Sequence, residues 1–402
     1  MNLQGIIVLL KGIVLFDICF FIFASPFNKI LSKVSFCAAV LLWVFIKILE
    51  KGPKFYKGLI PRTILNKPLF FFLAAALISV LFSANFNLSQ RVFFERYIPY
   101  ALFFWLVYAV ITDSERNIDY IVLSLLAMGI FLGLGAFKDY LSSLGGRPST
   151  AFGIRVNFAA YLSMLMSFSF IVLFSKIKKI FKYLSFAGIS LLWPFSILHG
   201  SRSVWITLVV SLIFVIFFVK NKLRIPVFLM VIFSVLLIPR EYKERAATIT
   251  DAFSQSTVET RIGLFSFAFD IFKQYPVFGA GLGTYGKMSY DGKRDIHAHN
   301  MFLEVMAEMG MVGFLAFMGI IFLFLKSFIK NLNLWRKSAD RERMAATAAG
   351  AAVFTGLILN LFYSSILIGF QDALIFWLFL AIAVNNKPFD KEIGPLNQGD
   401  QR

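Results

Sequence analysis

Cysteine is nearly missing from this 402-residue chain. Only Cys19 and Cys37 occur, both inside apolar runs, which excludes a disulfide framework and a cysteine-rich zinc ribbon. Charge is scarce as well. Charged residues make up 15% of the sequence, and the 22 acidic residues are outnumbered by 40 Lys and Arg. Histidine is scarcer still, with three copies. No low-complexity tract and no internal repeat is visible. What fills the space is hydrophobic: 59% of residues, 50 of them Phe, with a mean hydropathy of +0.77. A soluble domain has no need of such numbers, whereas a multi-span membrane protein requires them. The formal charge of +18 is therefore read as a topology signal and not as a nucleic-acid footprint, because surplus Lys and Arg collect in cytoplasmic loops. The start of the chain, MNLQGIIVLLKGIVLFDICFFIF, lacks a basic leader and a small-residue cleavage site, and is expected to be a retained first span.

Crossing about 30 Å of hydrocarbon takes about 20 apolar helical residues. Twelve segments qualify: 5–23, 30–49, 67–83, 97–112, 118–138, 156–175, 183–199, 203–220, 224–239, 301–326, 345–365 and 370–385. The expected fold is all-α and polytopic. Residues 1–239 carry helices one to nine, 240–300 form one long periplasmic loop with short amphipathic helices, 301–385 carry helices ten to twelve, and 386–402 form a polar tail. With the N-terminus inside, the cytoplasmic loops hold about 22 Lys and Arg and the short opposite loops about six. Both termini are thus expected in the cytoplasm. All three histidines then lie on the other face, and the chemistry is sought there.

Several short motifs gather on that face. GLGTYG, Gly281 to Gly286, matches a dinucleotide fingerprint letter for letter, but no strand precedes it and a membrane span follows, so its glycines are read as turn formers. HGSRSVW places Arg202 at the membrane boundary beside His199. An arginine there either snorkels or binds a charged partner, and its rigid fork suits phosphate oxygens. STVETRIGLFSFAFDIFKQYP predicts a capped helix that stops before Pro276, with Phe265, Phe269 and Phe272 as an apolar stripe suited to the bilayer or to the helical bundle and Arg261 one turn ahead of it. GGRPSTAFGIRVNFAAY is a Gly/Pro loop entering the sixth span, with Arg147 and Asn157 as polar anchors.

DIHAHNMFLE concentrates two of the three histidines, His297 and His299. Zinc ligation by such a pair lacks a nearby third ligand. Residues two apart do not share a helical face, so one functional histidine is expected. His299, directly before Asn300 and an apolar helix, can be neutral near pH 7 and accept a proton. No tight carboxylate pair points to metal-assisted transfer, although Asp291, Asp295 and Glu304 are close enough in sequence to leave that open.

Together, RPSTAFG, HGSRSVW, ETRIGLF, YPVFGAGLGTYG and HAHNMFLEVMAEMGMVG resemble, in order, the motifs of the O-antigen ligase and polymerase superfamily over about residues 145–320. LFSANFNLSQR is a weaker match upstream. The resemblance implies a bacterial inner-membrane glycosyltransferase with a periplasmic active site. It would move a glycan from undecaprenyl diphosphate to an acceptor hydroxyl, that of lipid A–core in a ligase or of another lipid-linked repeat in a polymerase. It further implies that Arg202 and Arg261 hold the donor diphosphate and that His299 assists acceptor attack. Arg147, Asn157, His199 and Asn300 would support them, with no metal and no cofactor. The long loop, about 60 residues, is compact for that family. The residues themselves are compatible with this chemistry. A periplasmic transferase has no ATP and needs an activated donor, and two arginines can neutralise a leaving diphosphate. The alternatives are a repeat-unit polymerase and, from another class, a polysaccharide transporter or flippase. Transporters commonly show inverted repeats and charged, broken midplane helices, and here the charges gather at one face and no repeat is evident. Besides donor and acceptor, membrane lipids are the expected partners, and nucleic acid is not.

Overall fold

The computed structural model describes residues 2–142, 150–152, 154–155, 158–174, 177–198, 204, 209, 225, 229, 255–288, 297–337, 350, 352, 354, 356 and 369–385. Twelve helices are followed in chain order here: α1 (Leu3–Ala24), α2 (Lys29–Lys51), α3 (Tyr56–Leu59), α4 (Asn66–Leu81), α5 (Phe86–Val92), α6 (Ile98–Asp113), α7 (Glu115–Ser142), α8 (Phe158–Phe174), α9 (Lys179–Leu198), α10 (Gln255–Gln274), α11 (Met301–Lys337) and α12 (Phe370–Ala383). Among the described residues five helices are long and apolar enough to cross a membrane, and α4, most of α8 and α12 are shorter apolar helices. The architecture is all-α, and every expected span that falls on described stretches is a helix. Apart from isolated positions, the expected spans 203–220, 224–239 and 345–365 lie outside the described residues, as does the tail 386–402.

Helix starts follow from the sequence. Asn2 caps α1, its Oδ1 accepting from the Gly5 amide at 2.9 Å, and Asn28 caps α2 by accepting from the Ile30 and Leu31 amides at 3.0 Å each. Helices apolar on every side belong inside a bundle. α12 is buried along nearly its whole length and packs on α6, where Trp377 meets the rings of Tyr100 and Phe104 at 6.3 and 6.2 Å. Outer helices instead turn large side chains outward. Phe16, Leu41, Phe71 and Phe322 are each about two-thirds exposed, as expected of a surface that meets hydrocarbon. Each ion pair at the far end of the bundle is partly exposed and worth little. Lys11 meets Asp113 at 3.0 Å and Glu50 at 3.1 Å, tying α1, α2 and α6.

Two features depart from the expected pattern. A two-residue hairpin, β1 (Thr150–Ala151) with β2 (Ile154–Arg155), stands before α8, and Phe152 at its turn packs against Phe27 and Phe131. More consequentially, the expected span 301–326 is not one straight helix. α11 is broken at Gly310, which has φ 63° and ψ −163°. A continuous helix of 37 residues would run about 56 Å, well beyond a bilayer core. The break divides it into a short piece, 301–309, and a long one, 311–337.

A β-carbon on Gly310 would strike the backbone of Val277, and the left-handed φ disfavours any L side chain. Gly310→Ala should therefore sharply lower the melting temperature of detergent-solubilised protein, beyond the ordinary range of surface substitutions. Gly12→Ala, in a mid-helix position with nothing within 4 Å of its β-carbon, should be neutral or stabilise by up to about 1 kcal/mol. Equal melting curves for the two variants would refute this account of the break.

Candidate functional site

A helix break inside an apolar bundle leaves amides and carbonyls that must find partners within the protein. The glycine-rich loop after α10 supplies them. Amides of Met311 and Val312, which open the long piece, donate to the carbonyls of Pro276 and Val277 at 2.9 and 3.2 Å. Carbonyls of Ala307 and Glu308, which end the short piece, accept from the amides of Ala280 and Gly281 at 2.9 and 3.0 Å. Ser79 Oγ also donates to the Glu308 carbonyl, at 2.6 Å. The glycines expected to fold the chain over the membrane surface thus dock into a broken helix. Gly279, Gly281 and Gly283 all have positive φ.

The upstream LFSANFNLSQR stretch holds the loop from its other side. Ala84 N donates to Ala280 O at 2.9 Å, Ser89 Oγ donates to Leu282 O at 3.0 Å, and Phe82 stacks on Phe278 at 5.0 Å. Asn85 caps α5 through the Leu88 amide at 3.1 Å. A β-carbon on Gly281 would collide with the Ser83 and Ser89 hydroxyls. Between α5 and α6 the backbone makes one π-helical turn, Phe93–Tyr97, which contains Arg96. Such turns often occur at functional sites.

Asn300 is the N-cap of α11, accepting from the Phe302 and Leu303 amides at 3.0 and 3.1 Å. His299 precedes it with φ 50°, one of two described non-glycine residues at positive φ, and it is exposed. His297, two positions earlier, is half-buried. Its Nδ1 stands 3.8 Å from Glu304 Oε1. Arg261 is half-buried on α10, whose buried residues Leu264, Ala268 and Ile271 pack toward Tyr285 and α11. Tyr285 Oη donates to Leu264 O at 2.9 Å. The buried stripe is therefore one residue off the phenylalanines. Phe269 is 46% exposed, with Phe272 beside it and Lys273 over its ring at 4.9 Å. α10 ends before Pro276 as expected. Arg202, His199, Arg147 and Asn157 lie outside the described residues.

What sequence reasoning missed is a cavity of about 270 Å³ beside the loop, lined among others by Arg96, Lys287, His297, Glu304 and Glu308. Glu304 and Glu308 lie one helical turn apart on the short piece of α11 and are nearly buried. Glu308 Oε1 accepts from the Tyr285 amide at 3.3 Å, fastening the loop by its side chain as well as its backbone. A signal was available: acids four apart in an apolar helix share a face, and ionisable groups within spans mark function. Among the described residues no three His, Cys, Asp or Glu are grouped to hold a metal ion.

Comparison with known families matches residues 187–318 to O-antigen ligase. No curated protein matches the chain.

Removing the Glu308 carboxylate would leave the buried Tyr285 amide without that acceptor, at about 1–3 kcal/mol. Glu308→Ala should lower thermal stability by that order, while Glu308→Gln, which keeps an acceptor oxygen, should lose clearly less. Equal losses in a detergent melting assay would show that the carboxylate does not fasten the loop.

Proposed function

We propose that this chain, a member of the O-antigen ligase superfamily, is a multi-pass glycosyltransferase that transfers a glycan from undecaprenyl diphosphate to a lipid A–core hydroxyl. The observation that carries this reading is the matched segment itself. Residues 187–318 contain HGSRSVW, TRIGLF and HAHN in order, so Arg202, Arg261 and His299 all fall inside it. In this mechanism Arg202 and Arg261 hold the donor diphosphate, their fixed charges offsetting the negative charge that grows on the leaving group. His299 accepts the proton of the acceptor hydroxyl as its oxygen attacks the anomeric carbon. The bond from that carbon to the phosphate oxygen breaks, and undecaprenyl diphosphate departs.

The positive φ of His299 supports a functional role, because non-glycine residues held there concentrate at active sites. Asn300, as the helix cap, keeps that histidine at the mouth of α11. Arg147, Asn157 and His199 take supporting roles, and neither a metal nor a cofactor takes part. In the proposed orientation both termini are cytoplasmic and the site is periplasmic, in the inner membrane. The loop-charge asymmetry supports this, as does the cavity's place at the Ile98 end of α6, away from the Lys11–Asp113 pair at its other end.

Glycan profiling of a deletion strain tests the function. Loss of long chains from lipopolysaccharide, with polymer retained on the lipid carrier, is expected. Core bearing a single repeat would instead mean a repeat-unit polymerase, and an unchanged profile would defeat both. In a transfer assay His299→Ala should abolish activity, and Arg202→Lys and Arg261→Lys should each reduce it strongly, because a point charge cannot copy a bidentate contact. Activity should survive EDTA. Near-normal activity in either Lys variant would return that arginine to a solvated role. Reporter fusions at Ser254 and Asn385 should read periplasmic and cytoplasmic respectively, and a cytoplasmic signal from Ser254 would overturn the orientation.

A further inference from the structure

We infer that the cavity between α5, the π-helical turn and the short piece of α11 is a subsite for one neutral sugar ring of the acceptor, with Glu304 accepting hydrogen bonds from its hydroxyls. This rests on the function proposed above for what the sugar is used for, but not for the binding itself.

The lining decides the class of ligand. Carboxylates from Glu304 and Glu308 share the cavity with the cations of Arg96 and Lys287 and with His297. Two carboxylates oppose a diphosphate, and two fixed cations oppose a metal ion. A polyol suits this mixture, because each hydroxyl both donates and accepts: carboxylates accept hydrogen bonds from its O–H groups while guanidinium and ammonium groups donate to its oxygens. The volume of about 270 Å³ corresponds to about nine waters at ~30 Å³ each, which suits a single ring and not an oligosaccharide. Gly283 and Gly286 line one side and keep it open to the ligand, while Leu88 and Val92 offer a small apolar patch for a C–H face.

The walls are also fixed in advance. Ser79, Gly281 and Tyr285 hold Glu308 and its carbonyl, and Ala280 holds the carbonyl of Ala307, so the helical turn that carries Glu304 is pinned at one end, and Asn300 caps it at the other. A site ordered before its ligand arrives loses less freedom on binding. His297, its side chain 41% exposed beside the nearly buried Glu304, stands at the opening.

Saturation-transfer NMR on the full-length protein in detergent tests this with methyl glycosides of glucose, galactose, N-acetylglucosamine and a heptose as probes. At least one should bind, and Glu304→Gln should weaken it by at least about tenfold, as a charge-assisted hydrogen bond becomes a neutral one. Arg96→Met should weaken it too, whereas Lys11→Met, at the other end of the bundle, should not. Far-ultraviolet circular dichroism and melting curves confirm that each variant is folded, and Glu304→Gln decides the matter if Arg96→Met fails to fold. Binding unchanged in Glu304→Gln, or no binding of any glycoside, overturns the inference. So does Mn²⁺ that binds the wild type and is lost in Glu304→Gln, which would make the cavity a cation site. Glycoside binding in a protein whose deletion leaves lipopolysaccharide unchanged would keep this subsite and reject the proposed function.

Discussion

Everything on the site-bearing side of the bundle depends on how the break at Gly310 is repaired. A span in hydrocarbon satisfies its backbone internally, so an interrupted helix exposes groups that no lipid can serve. Here two amides and two carbonyls at the break are met by the main chain of one loop, Pro276 to Gly281, and a further partner, Ser79, arrives from α4. The requirement is mutual. The loop has few side chains with which to pack, and its own amides at Ala280 and Gly281 are satisfied by the helix it repairs. Neither part is stable in this form alone, which joins residues about 30 positions apart into one unit.

That unit places the chemistry. Because the short piece of α11 is held at both ends, its first turn and the residues just before it are set against α5 and the π-helical turn. His297 stands beside Glu304, and His299 is exposed at a left-handed backbone position. On the proposed reading the division is useful. A residue that takes a proton from the acceptor needs access to the reacting oxygen, and the groups that hold the acceptor's ring need a fixed wall. The constraint that closes the break thus provides the wall.

Much of the fold was legible in the sequence. Hydropathy located the long apolar helices on described stretches, because the bilayer's demand for such segments leaves a signal that tertiary contacts barely alter, whereas the short α3 and α5 carried no such signal. The caps Asn2, Asn28 and Asn300 went unread, although capping is decided within a few residues and each stands directly before or near an apolar run. Gly310 was not legible. In an apolar run a glycine usually marks only a modest loss of helix propensity, and what turns it into a break is a loop from an earlier part of the chain. The phenylalanines of α10 suit either the bilayer or the bundle, and sequence alone does not choose between them. It is Leu264, Ala268 and Ile271, one residue earlier, that are buried toward Tyr285 and α11, while Phe269 stays half exposed.

The cavity was missed for a deeper reason. By sequence Glu304 groups with Asp291 and Asp295 around the histidines, and nothing joins it to Arg96, about 200 positions earlier. Only when the loop is folded into the break do Arg96 from one helix pair and the two acids from another come to line the same space. Charges of both signs around one volume offset one another's field, and the exposed Lys287 and half-buried Arg96 and His297 leave the nearly buried acids within reach of a ligand. A purely structural arrangement would gain more by closing the gap and packing it with aliphatic side chains, since replacing buried ion pairs by apolar groups is often neutral or stabilising. An open volume walled by charges of both signs, with His297 in its wall, is better explained by something that enters it.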